Sequence, residues 1–90
     1  MQEGVKFDKD KLRYDLVPFG AIDKIARVFT YGATKYSPWN WLHLEEVRLL
    51  AAAFRHLSKH AQGEELDPES GHSHLSHAAT NIIMLMHRRG

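Results

Sequence analysis

The stretch that decides the fold runs from Arg55 to Asn81 and reads RHLSKHAQGEELDPESGHSHLSHAATN. It contains five of the seven histidines of this 90-residue chain. His56 and His60 lie four residues apart, so they share one helical face. His74 and His77 lie three apart and share a face of the next helix. The spacing therefore predicts two polar stripes, on neighbouring helices, that converge on one point.

The connection between the stripes is strongly acidic. Residues 63–71, GEELDPESG, contain four carboxylates, and the leading glycine is a typical helix stop, which makes the flanking helices antiparallel neighbours. Carboxylates beside imidazoles suit a divalent cation, and imidazole ligands favour manganese, cobalt, nickel or zinc over a pure magnesium site. The alternatives are a solvated turn, with Asp67 or Ser70 capping the third helix, and a hydrogen-bonded histidine seam. The predicted ligands of a Mn2+ or Mg2+ ion are His56, Asp67, Glu69 and His77.

Helical periodicity runs through the rest of the chain. Pro18 suits the first turn of a helix that ends near Tyr31, where Gly32 interrupts it. A second helix is expected from about Leu44 to about Ala61, and a third from His72 or Ser73 to about Arg88. We expect an all-α fold, a compact bundle of three main helices. The apolar stripes of the last two helices are predicted to be Leu50, Ala53, Phe54, Leu57 and Ala61, and Leu75, Ala78, Ala79, Ile82 and Met86.

Size and composition indicate one domain, residues 1–90, with an extended arm at 1–15. A chain this short is marginally stable alone, and it has no cysteine to add disulfides. We therefore expect a homo-oligomer, at least a dimer. The net charge of +1 argues against a nucleic-acid polymer as partner. No long apolar run is present, so we expect no membrane association and a cytoplasmic location.

An aromatic connector lies between the first two helices. Tyr36, Trp39 and Trp41, with Lys35 and Asn40, suit stacking on a nucleobase and hydrogen bonding to its edge. Core or interface packing is the alternative for the tryptophans. Nearby lysines and arginines suit phosphate groups. The candidate ligand-binding residues are Lys6, Arg13, Lys35, Tyr36, Asn40, Trp41, Arg55, His60, His74 and Asn81.

These residues resemble the family called dATP/dGTP diphosphohydrolase, N-terminal domain, found in phages and bacteria. The resemblance covers nearly the whole chain, and it implies a helical fold, a purine deoxynucleotide ligand, divalent cations and a host-cytoplasm location if the gene is a phage gene. That family is related in concept to MazG-type pyrophosphohydrolases, whose paired ExxE and ExxD acids are not matched in this chain. The motifs that carry the resemblance are residues 6–8, 13–18, 30–36, 40–41, 55–56, 63–64, 67–71 and 74–78.

Three functions are compatible with this sequence. The first is a hydrolase that converts dATP or dGTP to the monophosphate by metal-assisted attack of water, with His56 and His77 as catalytic residues. The second is a non-catalytic phage protein that sequesters a nucleotide signal of host defence. The third is a structural module whose histidines only line a helix seam. No nucleophile elbow or glycine-rich phosphate loop supports a covalent mechanism.

Overall fold

The first long helix, α1, spans Phe19–Lys35 in the computed structural model, which describes residues 4–5, 7 and 9–90. Pro18 is its N-cap and accepts the first backbone hydrogen bonds of the helix. The predicted end near Tyr31 is wrong, because the helix continues through Gly32 for another turn. A single glycine inside a helix costs only about 1 kcal/mol, too little to end one that neighbouring turns support.

Residues before α1 and after it form short 3-10 helices, Tyr14–Leu16 and Asn40–His43. The second of these occupies the aromatic connector and brings its two tryptophans side by side. The predicted arm at 1–15 stays a prediction, since residues 1–3, 6 and 8 lie outside the described part of the chain.

Helices α2 and α3 span Glu46–Ala61 and His74–Arg89. Gly63 follows α2 with a φ of +96°, a conformation that glycine adopts without strain. The cap of α3 is Ser73, whose hydroxyl accepts the N–H of Ser76 at 3.0 Å. Neither Asp67 nor Ser70 caps this helix, so that alternative is wrong. Asp67 instead accepts the N–H of Ser70 inside the loop.

The predicted antiparallel arrangement of α2 and α3 is confirmed. Arg88, near the end of α3, donates to the carbonyl of Leu44 just before α2, and Arg89 pairs with Glu46 at 3.0 Å. Helix α1 packs against α3. In the part of the chain described here, strand-like pairing is limited to one antiparallel bridge, Leu66 with Ser73, so the predicted all-α fold is confirmed. No described helix has both the length and the apolar character needed to cross a membrane.

The buried side of the α2–α3 pair differs from the predicted one. Ala53 and Ala78 are buried as expected, but Phe54 is 62% exposed and Met86 is 67% exposed. The inward side of α3 instead carries polar residues, among them Thr80, which is 1% exposed. Periodicity located the apolar stripes correctly along each helix, but it did not show that they point outward. The buried apolar residues in the described part of the chain are Val28, Leu49, Ala53 and Ala78.

Candidate functional site

A cavity of about 770 Å³ lies among α1, the aromatic connector, α2, the acidic loop and α3. Most of the predicted site residues line it, although they come from five separate segments of the chain. The predicted convergence of the two histidine stripes at one place is therefore correct as geometry. The predicted residues that line the cavity are Lys35, Tyr36, Asn40, Trp41, Arg55, His56, Asp67, Glu69, His77 and Asn81.

At the floor of the cavity, two imidazoles and a carboxylate form a continuous chain of hydrogen bonds. His56 Nδ1 and His74 Nδ1 are 2.8 Å apart, and His74 Nε2 lies 2.8 Å from Glu64 Oε2. His74 is only 2% exposed, so its ring is fixed by this surrounding. The chain runs from an exposed carboxylate, through a buried imidazole, to an imidazole at the cavity wall.

This geometry assigns the protons of both rings when each is neutral. A carboxylate oxygen accepts a hydrogen bond, so the proton of His74 sits on Nε2 and its Nδ1 carries a lone pair. His56 must then donate from Nδ1, which leaves the lone pair of His56 on Nε2. Glu64 thus controls which ring nitrogen of His74 carries the proton. A carboxylate that holds the remote N–H of a histidine is the usual support of a metal-ligating imidazole.

His77 stacks on His56 with ring centroids 4.4 Å apart and an angle of 9° between the planes. The predicted approach of these two histidines across α2 and α3 is confirmed. His77 Nε2 lies 2.6 Å from the Ser70 hydroxyl and 3.9 Å from Asp67 Oδ2. Because serine and aspartate face the same ring nitrogen, they do not form the relay of an acyl-transfer triad, in which the carboxylate holds the opposite nitrogen.

Burial keeps the stacked histidines neutral near pH 7. Desolvation is the largest cause that lowers the pKa of His56, to about 4, and neighbouring His77 and His74 add to it. Desolvation also lowers the pKa of His77 below its usual range. Burial alone would raise the pKa of the Asp67 carboxyl, but hydrogen bonds from Ser70 outweigh it, with help from His77 and His56, and lower that pKa. Neutral imidazoles beside an ionised carboxylate are the forms that bind a cation.

Among the described residues, one group could hold a metal ion: His56, His74 and Asp67. One ligand atom from each lies within 4.8 Å of the others. This set differs from the predicted ligands, since Glu69 forms an ion pair with Lys35 and His77 is bonded to Ser70. His74 was predicted to bind substrate, but it does not line the cavity and instead belongs to this group. Two imidazoles and one carboxylate fit Mn2+ better than Mg2+, which prefers oxygen ligands.

The opposite wall of the cavity is aromatic. Trp39 and Trp41 lie 5.5 Å apart, and His87 lies 5.8 and 5.6 Å from their rings. Trp39 is 59% exposed and has a φ of +64°, a left-handed conformation that costs a residue with a side chain about 1–2 kcal/mol. A large aromatic ring held open to solvent at a strained position is a surface suited to stacking on a flat ligand.

Arginines on α2 make the rim of the cavity basic. Arg48 and Arg55 are seven residues apart, so they lie on one side of the helix, and both line the cavity. Lys35 also lines it, but its hydrogen bond to Glu69 raises the pKa of the ammonium and lowers that of the carboxyl. The charge of Lys35 is thus compensated within the chain, and the two arginines supply the cationic groups best placed for an anionic ligand.

Besides His74, two described residues that were predicted to bind a ligand do not line the cavity. His60 lines a separate cavity with Gly63 and Leu75, because it lies one helical turn beyond His56, past the end of the site. Arg13 is exposed and pairs with Asp15 at 2.7 Å. These two assignments are therefore not supported. Lys6 lies outside the described residues.

Sequence reasoning missed three residues that the geometry places at the site, and it missed the backbone conformation of Trp39. Arg48 had a readable signal, its seven-residue spacing from Arg55. Glu64 stood in the acidic loop, yet nothing in the sequence distinguishes it from Glu65, which contacts His74 through its backbone carbonyl. Ser70 and the left-handed conformation of Trp39 follow from the course of the chain, which the sequence does not give.

The fold and the site define a small all-α protein in which an imidazole–carboxylate cluster and an aromatic wall share one cavity. The family model described as dATP/dGTP diphosphohydrolase, N-terminal, matches residues 1–89, so the chain belongs to that family. The chain is also similar to the dATP/dGTP diphosphohydrolase of Salmonella phage PMBT28, with 34% identity over 82 residues, which is 91% of this chain and 28% of that protein. Thus it spans less than a third of the length of this relative. No solved structure matches it significantly.

Proposed function

We propose that this chain forms a metal-dependent site that hydrolyses purine deoxynucleoside triphosphates to monophosphates. The observation that carries the proposal is the shared cavity, which is lined by His56, Asp67, two arginines and the two tryptophans, with the buried His74 hydrogen-bonded to His56. The names of the family and of the phage relative support this substrate class. The chain matches only 28% of that relative. We therefore propose, by similarity, that this chain shares the activity for which the longer protein is named.

Each wall of the cavity has a part in holding the substrate. Trp39 and Trp41 stack on the base, and the Asn40 side chain hydrogen bonds to its edge, since an amide can both donate and accept. Arg48 and Arg55 contact the phosphate oxygens, where guanidinium groups bind in pairs of hydrogen bonds. The triphosphate then lies across the cavity from the aromatic wall to the imidazole cluster.

His56, His74 and Asp67 would hold the divalent cation, with Glu64 fixing the ring of His74. When bound, such a cation neutralises phosphate charge and makes water more acidic. His77 is the base of the reaction: its lowered pKa keeps the ring neutral at pH 7, and Nε2, which lies 2.6 Å from the Ser70 hydroxyl in this structure, exchanges that hydroxyl for the attacking water. Water attacks the α-phosphorus and gives its proton to His77 Nε2. The bond from that phosphorus to the bridging oxygen breaks, and diphosphate leaves with the electron pair.

The test is a panel of dATP, dGTP, dCTP and dTTP, each incubated with the protein and Mn2+ or Mg2+, with products identified by mass spectrometry. We expect monophosphate and diphosphate from the purine substrates, faster with Mn2+. His77→Ala should abolish turnover while the helical circular dichroism remains, since alanine favours helix. The matched control is His43→Ala, at an exposed histidine that does not line the cavity.

Two results would contradict a hydrolase. Tight binding of a nucleotide without turnover would favour the alternative of a non-catalytic protein that sequesters a nucleotide signal. The compensated Lys35–Glu69 pair and the satisfied hydrogen bonds of His77 are compatible with that function as well. If the protein binds no nucleotide, the remaining function is that of a structural module.

A further inference from the structure

The α2–α3 pair has an exposed apolar side that does not line the cavity of the candidate site. We name it the outer face and define it by Leu50, Phe54 and Leu57 on α2 and Leu75, Ile82 and Met86 on α3. Each of these side chains is between 38% and 67% exposed. None of the six lines the cavity of the candidate site. The outer face and the site therefore occupy different sides of the same two helices.

The periodicity of each helix makes the outer face continuous. On α2, Leu50, Phe54 and Leu57 are separated by one turn each, and their stripe is rotated about 100° from the buried Leu49. On α3, Leu75, Ile82 and Met86 form a stripe of the same kind beside the buried Ala78. Because the helices are antiparallel neighbours, the two stripes lie next to each other as one surface.

The size of the outer face approaches what a stable protein interface needs. From the exposed fractions, its six residues present about 600 Å² on one protomer, about three quarters of the ~800 Å² that each partner contributes to a standard interface. The chain as a whole exposes 7405 Å². A folded monomer of this mass should expose about 5400 Å². The exposed apolar side chains of the outer face contribute to this excess.

The chemistry of the outer face favours a second copy of the same chain as the partner. No charged residue lies among its six side chains, so two identical faces meet without repulsion between like charges. The charge nearest its end, Arg89, is already paired with Glu46. A self-complementary apolar patch is what a twofold symmetric contact requires.

We propose that two copies of this chain dimerise through the outer face, with α2 and α3 of each forming a four-helix bundle. Each protomer keeps a complete cavity, because that cavity opens on the other side of the helices. Dimerisation holds α2 and α3 together and so fixes the distance between His56 and His74. It adds no residue of the partner to the site.

Sedimentation velocity of the full chain over a concentration series tests the proposal. We expect the wild type to sediment at twice its mass of 10.4 kDa. Phe54→Glu should dissociate it, with a dimer Kd at least roughly 100-fold weaker, because the symmetric contact receives two buried charges. The matched control is Phe19→Glu, at a phenylalanine of α1 that is 58% exposed against 62% for Phe54, and it should leave the dimer intact.

Helical circular dichroism must be retained for Phe54→Glu, and Met86→Lys provides a second variant if it is not. A wild type that stays monomeric at high micromolar concentration would overturn the proposal. Equal dissociation by the Phe19 and Phe54 variants would also overturn it, since the contact would then not be specific to the outer face.

Discussion

Glu64 offers the sharpest test of the candidate site. It lies outside the cavity, yet its carboxylate determines which ring nitrogen of His74 carries the proton. In the wild type, the carboxylate accepts the His74 Nε2 proton at 2.8 Å. Glu64→Gln keeps the shape of the side chain and removes its charge. The amide oxygen accepts more weakly, and the amide nitrogen can donate to Nε2 and move the proton of His74 to Nδ1. Either result weakens Nδ1 as a ligand.

The size of the effect follows from the position of Glu64 behind a ligand. Loss of such a supporting carboxylate typically costs 10–100-fold in metal affinity, which corresponds to about 1.4–2.7 kcal/mol. Glu64 is partly exposed, so solvent replaces some of the lost interaction. We therefore expect Mn2+ affinity to fall by about 10-fold, at the lower end of that range. His74→Ala, which removes the ligand itself, should lower it further.

Isothermal titration with Mn2+ measures the affinity, and long-range 1H–15N spectra of the metal-free protein report the proton position on each imidazole. The wild type should carry the His74 proton on Nε2, and Glu64→Gln should shift the population toward Nδ1. Glu65→Gln is the matched control, because the adjacent residue contacts His74 through its backbone carbonyl. Unchanged Mn2+ affinity in Glu64→Gln, or an equal loss in Glu65→Gln, would refute the role assigned to Glu64.

Three further outcomes are expected. The pKa of His56 is lowered to about 4 in the folded protein, whereas that of a histidine in the unfolded chain is about 6.5. Between these two pH values only the unfolded chain takes up a proton at His56, so the free energy of unfolding is highest above pH 6.5 and falls as the pH drops toward 4. The expected loss is about 1–2 kcal/mol after allowance for solvent screening. Urea denaturation should show this loss in the wild type and much less of it in His56→Gln. Ser73→Ala removes the α3 cap and should lower the free energy of unfolding, measured by urea denaturation, by about 1 kcal/mol. Ser58→Ala, at an exposed serine of α2, should lower it little. Trp39→Gly should weaken nucleotide binding about 10-fold through lost stacking and leave stability nearly unchanged, since relief of the left-handed strain offsets lost ring contacts; calorimetry should find Trp39→Ala about 1 kcal/mol less stable than Trp39→Gly.

The sequence was sufficient for features that depend on local spacing. The helical periods, the stop at Gly63 and the antiparallel order of α2 and α3 are all present in the structure. The meeting of His56 and His77 followed from the same spacing, because both lie at the edge of their helix where the two helices face each other. Such predictions succeed because each depends on a few neighbouring residues and one known helix geometry.

The features that could not be predicted depend on long-range placement of side chains. Glu64 and Glu65 are chemically almost identical, and the course of the loop decides which carboxylate reaches His74. Glu69 was predicted as a metal ligand, yet the folded chain places it beside Lys35, thirty-four positions away. The orientation of the apolar stripes belongs to the same class, because periodicity identifies a face of a helix without saying what that face contacts.

The outward apolar stripes and the polar interior have a common explanation. Inside the protomer, α3 carries His74, Ser76 and Thr80, and each finds a partner: Glu64, the Ser73 hydroxyl and the Ser76 carbonyl, respectively. Within the described residues, no buried side-chain nitrogen or oxygen lacks a hydrogen bond. A helix that uses its inward side to hold an imidazole site has only its outward side left for apolar burial. The polar cavity and the proposed apolar contact between two copies are therefore linked, since α3 lines the first and contributes to the second.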